Sequence, residues 1–258
     1  MRIAVLGGTG LIGSRVVARL KVQGHEARAL SLSTGVNVLT GEGLGAALAD
    51  AEVVVNLTNS PTFDEASAEF FRTSMAKVLE ASRAAGVGHV VVLSIVGADK
   101  VPELDYYRAK VLQEDLLKAD GLPYSVVRAT QFMEFVDAVL SWTTDGDTVR
   151  LPSTPLQPVA AADVADAVAD VAMGAPLDGT LNVAGPEVFP LDELGSITLA
   201  AEGGAGHVVT DDTAGMFAVP KGDVLTAPEG ARIAPTHYRD WMAARADRAD
   251  RADEAPGR

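Results

Sequence analysis

Three residue types able to move protons stand in a suggestive order near the middle of the chain. Ser94 closes the apolar run Val92-Leu93-Ser94, and Tyr106-Tyr107-Arg108-Ala109-Lys110 then opens a helical pattern. A spacing of four puts Tyr106 and Lys110 on one helix face. A phenol, with a reference pKa of about 10, is a poor acid–base group at neutral pH. A neighbouring ammonium favours the phenolate and draws it toward the working range. The lysine can also hold a ribose, and a serine at a strand edge can hydrogen-bond a substrate carbonyl. Such a trio suits proton delivery beside a hydride transfer. Tyr107, three residues from Lys110, is an alternative phenol, and a solvated Tyr–Lys pair without chemistry is the plain alternative.

A hydride needs a carrier, and the N-terminal residues provide for one. Gly7-Gly8-Thr9-Gly10-Leu11-Ile12-Gly13 lies directly between an apolar run, Ile3–Leu6, and a helical pattern, Leu11–Val22. Glycines at such a junction permit a tight turn, let backbone N–H groups approach a pyrophosphate, and allow close helix–strand packing. The positive end of the helix then faces the phosphates. Gly7, Thr9, Gly10, Leu11, Ile12 and Gly13 are the expected cofactor contacts. The second strand ends Ala29-Leu30-Ser31-Leu32-Ser33-Thr34, with neither an acid nor an arginine. The missing acid disfavours NAD(H). Ser31, Ser33 and Thr34 offer hydroxyls to a 2′-phosphate, and Arg28 reaches it if the strand is one step shorter, so NADP(H) is favoured over NAD(H). Asn56-Leu57-Thr58-Asn59-Ser60 closes a later strand at the edge where open parallel sheets bind ligands, which makes Asn56, Thr58 and Asn59 further cofactor contacts. The same residue types also make ligand-free turns.

The elements that must position these residues follow from the periodicity. Strand-like runs at Ile3–Leu6, Ala27–Leu32, Val53–Leu57, His89–Ser94 and Ser125–Arg128 alternate with helical patterns at Leu11–Val22, Glu65–Gly86 and Tyr106–Asp120. Runs without strict alternation are strands buried on both faces. Alternating with helices, they predict an α/β fold of Rossmann type, with a doubly wound parallel sheet. Residues 1–142 form the expected nucleotide-binding core. Residues 143–242 hold the remaining core elements and a small substrate lobe, including a helix over Asp163–Met173 with Asp163 as N-cap and a strand over Thr180–Ala184. Residues 243–258, with their Ala-Asp-Arg repeat, read as a solvated helical extension or frayed tail.

Composition narrows the function classes. The 258 residues carry 21 basic and 35 acidic side chains, a net charge of −14, which repels nucleic acid. There is no cysteine, so disulfides, thiolate zinc sites and cysteine nucleophiles are excluded. The four histidines are scattered, and no metal site is expected. No apolar run reaches the roughly 18 residues of a membrane helix. A cytoplasmic monomer or homodimer acting on a small molecule is the expectation.

Taken together, the phrases Gly7–Gly13, Leu-Ser-Ile-Val-Gly-Ala-Asp ending at Asp99, Tyr-Tyr-Arg-Ala-Lys ending at Lys110, Arg128-Ala-Thr-Gln131-Phe132 and Asn182-Val-Ala-Gly-Pro-Glu187 resemble the NmrA-like branch of the atypical short-chain dehydrogenase/reductases. The resemblance runs from residue 1 to about residue 242. It implies NAD(P) binding, reductase activity and catalytic roles for Ser94, Tyr106 and Lys110, and it sets Gln131 and Phe132 beside nicotinamide and substrate. Relatives often carry an arginine where Leu32 stands. Phe132, Met133 and Phe135, just beyond a sheet edge, are either core or an apolar wall suited to a hydrophobic or aromatic carbonyl compound or quinone. Some members of the branch sense the cofactor without turnover, and others isomerise or cyclise their substrates, so both remain as alternatives.

Overall fold

The glycine loop is suspended between β1 (Arg2–Leu6) and α1 (Leu11–Val22), the first unit of a repeating strand–helix winding. The computed structural model describes residues 1–203 and 206–253, with side chains through Asp247. β2 (Glu26–Leu30) is followed by a 3-10 turn and the short α2 (Leu44–Leu48). Then come β3 (Val53–Asn56), α3 (Ala66–Ala84), β4 (His89–Ile95), α4 (Asp105–Asp120) and β5 (Tyr124–Ala129). Within a residue or two these are the elements expected from periodicity, except that Leu32 belongs to the 3-10 turn rather than to β2.

The chain then leaves the sheet for α5 (Val136–Trp142), the short strands β6 (Thr144–Asp145), β7 (Thr148–Leu151) and β8 (Pro155–Leu156), and returns through α6 (Ala161–Met173) to β9 (Gly179–Ala184). A second excursion runs through β10 (Phe189–Pro190), α7 (Leu191–Ala201) and β11 (His207–Thr210) before β12 (Arg232–Ile233) and α8 (Tyr238–Asp253). Asp163 lies in the first turn of α6 rather than at its N-cap, which is Ala160. Its carboxylate instead accepts the Thr236 N–H. The Ala-Asp-Arg repeat continues α8 to Asp253, and the rest of the expected tail, 254–258, lies outside the described residues.

Among the described residues the main sheet has seven parallel strands in the order β12-β9-β5-β4-β3-β1-β2. Side chains alternate between its faces. Val53, Val55, Val91 and Val127 pack under α1 and α6, while Ala4, Val54, Val90 and Val92 pack on α3 and α4. A third apolar cluster joins α4 to the C-terminal excursions through Tyr106, Leu140, Leu151, Leu191 and Phe217. Strand order reverses at β1, so β1 and β3 flank the switch point, outside whose carboxyl ends such sheets bind ligands. No described helix is long and apolar enough to cross a membrane.

Candidate functional site

At the switch point the glycine loop fits against β3 and α1 with no space for side chains. Gly7 has φ +74°, and a Cβ there would meet the Leu57 carbonyl oxygen at 2.8 Å. A Cβ on Gly13 would lie 2.1 Å from the Gly7 oxygen, so only glycine lets α1 start this close to the loop. Gly10 caps α1 without a side-chain hydrogen bond. The N–H groups of the first helical turn, at Leu11, Ile12 and Gly13, have no intrahelical acceptors and form an anion-binding end. This is a cradle into which a dinucleotide diphosphate fits. It opens into a trench of about 410 Å³ that runs past Thr58, Asn59 and Lys110 to Gln131 and Phe135.

The end of β3 divides its labour. Asn56 is buried, its Oδ1 accepting the Thr58 N–H and hydroxyl while its amide donates to the Met75 sulfur. That is Asx-turn chemistry, and it holds Thr58 in the trench wall. Asn59, beside it in the wall, accepts a hydrogen bond from the Tyr106 hydroxyl.

The helix face expected to carry Tyr106 and Lys110 does bring both into the trench wall. Their electrostatics differ from the expectation that lysine pulls the phenol down. Tyr106 packs edge-on against Phe63 at 4.9 Å, and burial pushes its pKa up to about 12, with only partial relief from Asn59. Burial pushes Lys110 down to about 7. Lys110 Nζ donates to the Leu93 carbonyl at 2.7 Å and to Gln113 Oε1, and it lies 4.6 Å from the centroid of the Phe71 ring. The low-polarity surroundings drive both groups toward their neutral forms, with the Glu114 carboxylate only partly opposing this at Lys110. Tyr107 is also buried and pushed up to about 12, and its hydroxyl accepts from Gln131 Nε2 at 3.4 Å.

Ser94 adjoins the trench, but strand alternation sends its side chain toward α4, on the face of Val90 and Val92. Its Oγ is buried beside the Glu114 carboxyl, outside hydrogen-bonding geometry with any described group. Glu114 is fully buried and held at 2.8 Å, at both oxygens, by the Arg128 guanidinium. Burial pushes this carboxyl up, and the Arg128 fork with Lys118 more than reverses it.

A second cavity, of about 430 Å³, adjoins the trench. Phe63, Tyr106, Met216 and Phe217 line both, so the Tyr106 ring is part of the shared partition. Phe132 and Phe135, expected as a substrate wall, line the trench and not the second cavity, and Gln131 stands with them, its Oε1 buried and unpartnered among the described residues. Trp142 is half exposed and lines the second cavity. Its ring meets Phe135 at 5.3 Å and Phe63 at 5.7 Å. Phe63, Met216 and Phe217 left no signal in the sequence, because their place depends on loops that meet only in the fold. Gln113 did leave one, standing three residues from Lys110 on the same helix.

Thr9, Ser31, Ser33 and Asn56 are not in the trench lining. Ser31 adjoins the loop through Leu30, whose carbonyl accepts the Gly7 and Gly8 N–H groups. Its hydroxyl is 2.8 Å from that of Ser33 in the 3-10 turn. Arg28 is corrected: it lies inside β2, opposite Ala4, and pairs with Asp50, so it is not free at the strand end.

The profile of a family described as NAD(P)H-binding matches residues 7–173. The photosystem II assembly factor Ycf39 of Cyanophora paradoxa is 26% identical over 149 residues, which cover 52% of this chain and 46% of that protein. The chain thus spans about half the length of the curated relatives it matches. Among solved structures, WbmG of Bordetella bronchiseptica, in complex with NAD and UDP, superposes with a TM-score of 0.75 at 20% identity, covering 98% of this chain and 96% of that one. A triphenylmethane reductase of Citrobacter sp., complexed with NADP(H), gives 0.63 at 18% identity, covering 87% and 94%. At these identities the likeness is one of fold.

Proposed function

The chain belongs to the NAD(P)H-binding family, in the NmrA-like branch of the atypical short-chain dehydrogenase/reductases, and from that premise we propose that it is an NADPH-dependent reductase of an aromatic or otherwise hydrophobic carbonyl compound or quinone. The observation that carries this reading is Tyr106 in the partition between trench and second cavity, one helical turn before Lys110. When bound, the nicotinamide supplies the hydride. The second cavity is the substrate chamber.

A phenol pushed up to about 12 stays protonated at neutral pH, so Tyr106 gives a proton to an oxygen gaining charge rather than taking one. That suits reduction. Asn59 Oδ1 takes the phenolic hydrogen bond until a substrate oxygen displaces it, and the fraction of Lys110 that is protonated near its pKa of about 7 has a third N–H for a ribose beyond those given to Leu93 and Gln113. The loop from Gly7 to Gly13 and the start of α1 hold the diphosphate, while Thr58 and Asn59 line its path. Gln131 offers its unpartnered Oε1 to the nicotinamide or substrate, flanked by Phe132 and Phe135. Ser94, turned toward Glu114, supports the site from behind the sheet.

The NADPH preference rests on the absence of a carboxylate from Leu30 to Thr34 and on the Ser31 and Ser33 hydroxyls. Calorimetric titration at fixed salt tests it, with NADPH expected to bind at least about tenfold tighter than NADH, a difference of about 1.4 kcal/mol. Equal affinities would remove the preference, and no binding of either would remove the reading.

The match to an assembly factor favours a second reading, a cofactor-binding partner protein without turnover. Cofactor binding with no NADPH oxidation across aromatic ketones and quinones would select it.

A further inference from the structure

The substrate chamber has a charge character that narrows what it can hold. Among the described residues its lining contains no lysine, arginine or histidine, and it contains Glu103 and Asp105. Asp105 is matched by Arg108, whereas Glu103 is exposed and forms no ion pair among the described residues. The trench beyond the partition has Lys110 as its one lining cation among the described residues, and its Nζ is committed to Leu93 and Gln113. An anionic substrate would therefore lose hydration on entering and gain no cation in return.

The lining is otherwise rich in rings. Phe63 and Trp142 meet at 5.7 Å in its wall, backed by Phe135 of the trench at 6.0 and 5.3 Å, and Phe63 also meets the Tyr106 ring. Phe63 and Trp142 remain 42% and 53% exposed, so part of this ring surface is open to a ligand. Faces of Trp and Phe attract organic cations, most strongly when several rings converge and water is displaced. The unmatched Glu103 adds a field of the same sense.

We infer that the chamber selects a planar aromatic compound carrying a positive charge, and that it rejects phosphorylated or carboxylated substrates. The inference rests on the assignment of this cavity as the substrate chamber but not on turnover or cofactor binding. It is tested on the full chain, without cofactor, by calorimetric titration with three flat two-ring probes at pH 8: N-methylquinolinium, neutral quinoline and naphthalene-2-sulfonate. The cation is expected to bind at least about fivefold tighter than quinoline, with the sulfonate weakest. Trp142→Leu should remove most of that advantage, and Glu103→Lys should bring the sulfonate level with the cation or ahead of it.

Equal affinity for cation and neutral probe, a tighter sulfonate, or no binding of any probe would overturn the inference. So would a cation advantage untouched by both substitutions, since that would place the cation elsewhere on an acidic protein. Reduction of neutral ketones by NADPH with no charge preference would overturn it while leaving the reductase reading intact. The expected probe ranking without NADPH binding would support it while removing that reading.

Discussion

Lys110 is the residue whose behaviour depends most on its surroundings. Its spacing from Tyr106 is legible in the sequence, but its environment comes from Phe71 on α3, the Leu93 carbonyl on β4 and Gln113, which close over it only when the layers pack. The folded protein holds this ammonium near pKa 7, against 10.5 in the open chain. Between these values the unfolded chain binds more protons than the folded one, so this group makes stability rise with pH. Lys110→Met removes the slope. The stability of the ligand-free protein, measured by urea unfolding, should therefore climb relative to that of the variant from about pH 7 to about pH 10. Parallel curves would mean that Lys110 is charged and solvated in the folded state. The offset between the curves is a separate matter, because methionine also leaves the Leu93 carbonyl and the Gln113 amide oxygen without a donor.

At the scale of elements, the alternation of apolar runs and helical patterns was sufficient to read the parallel sheet, because each buried strand must be apolar on both faces. The C-terminal excursions were not readable in the same way. β6, β8, β10 and β12 are two residues each, too short to carry a period, and their pairing is set by the helices around them. The exposure of Trp142 belongs to the same class, since it follows from how the end of α5 packs beside Phe63 at the second cavity. The junction of β1 and α1 was legible in its residue types and is sharper in its geometry. Gly13→Ala would place a methyl 2.1 Å from the Gly7 oxygen and force loop and helix apart. We expect a loss of about 1–3 kcal/mol in stability, as for an overpacked core site. NADPH affinity should fall at least about tenfold as the helix N-terminus moves from the diphosphate, readable by the same titration that tests cofactor preference. Unchanged affinity in a folded variant would show that the diphosphate lies elsewhere.

The whole molecule is a sheet edge facing a lobe, with two cavities on either side of one phenol. The sheet supplies the cofactor trench, and the lobe, through Met216 and Phe217, completes both the trench and the chamber. On the proposed reading hydride and proton meet at the partition, where Tyr106 stands. The central claim is tested most directly by NADPH consumption, followed by its absorbance, with an aromatic ketone or quinone and either the native protein or Tyr106→Phe. The variant keeps the ring contacts with Phe63 and Phe71 and loses only the hydroxyl. We expect oxidation by the native protein and a drop of at least roughly 10²-fold in the variant, the low end for losing a general acid. Equal rates in both, or cofactor bound by a native protein that consumes none of it, would contradict the account.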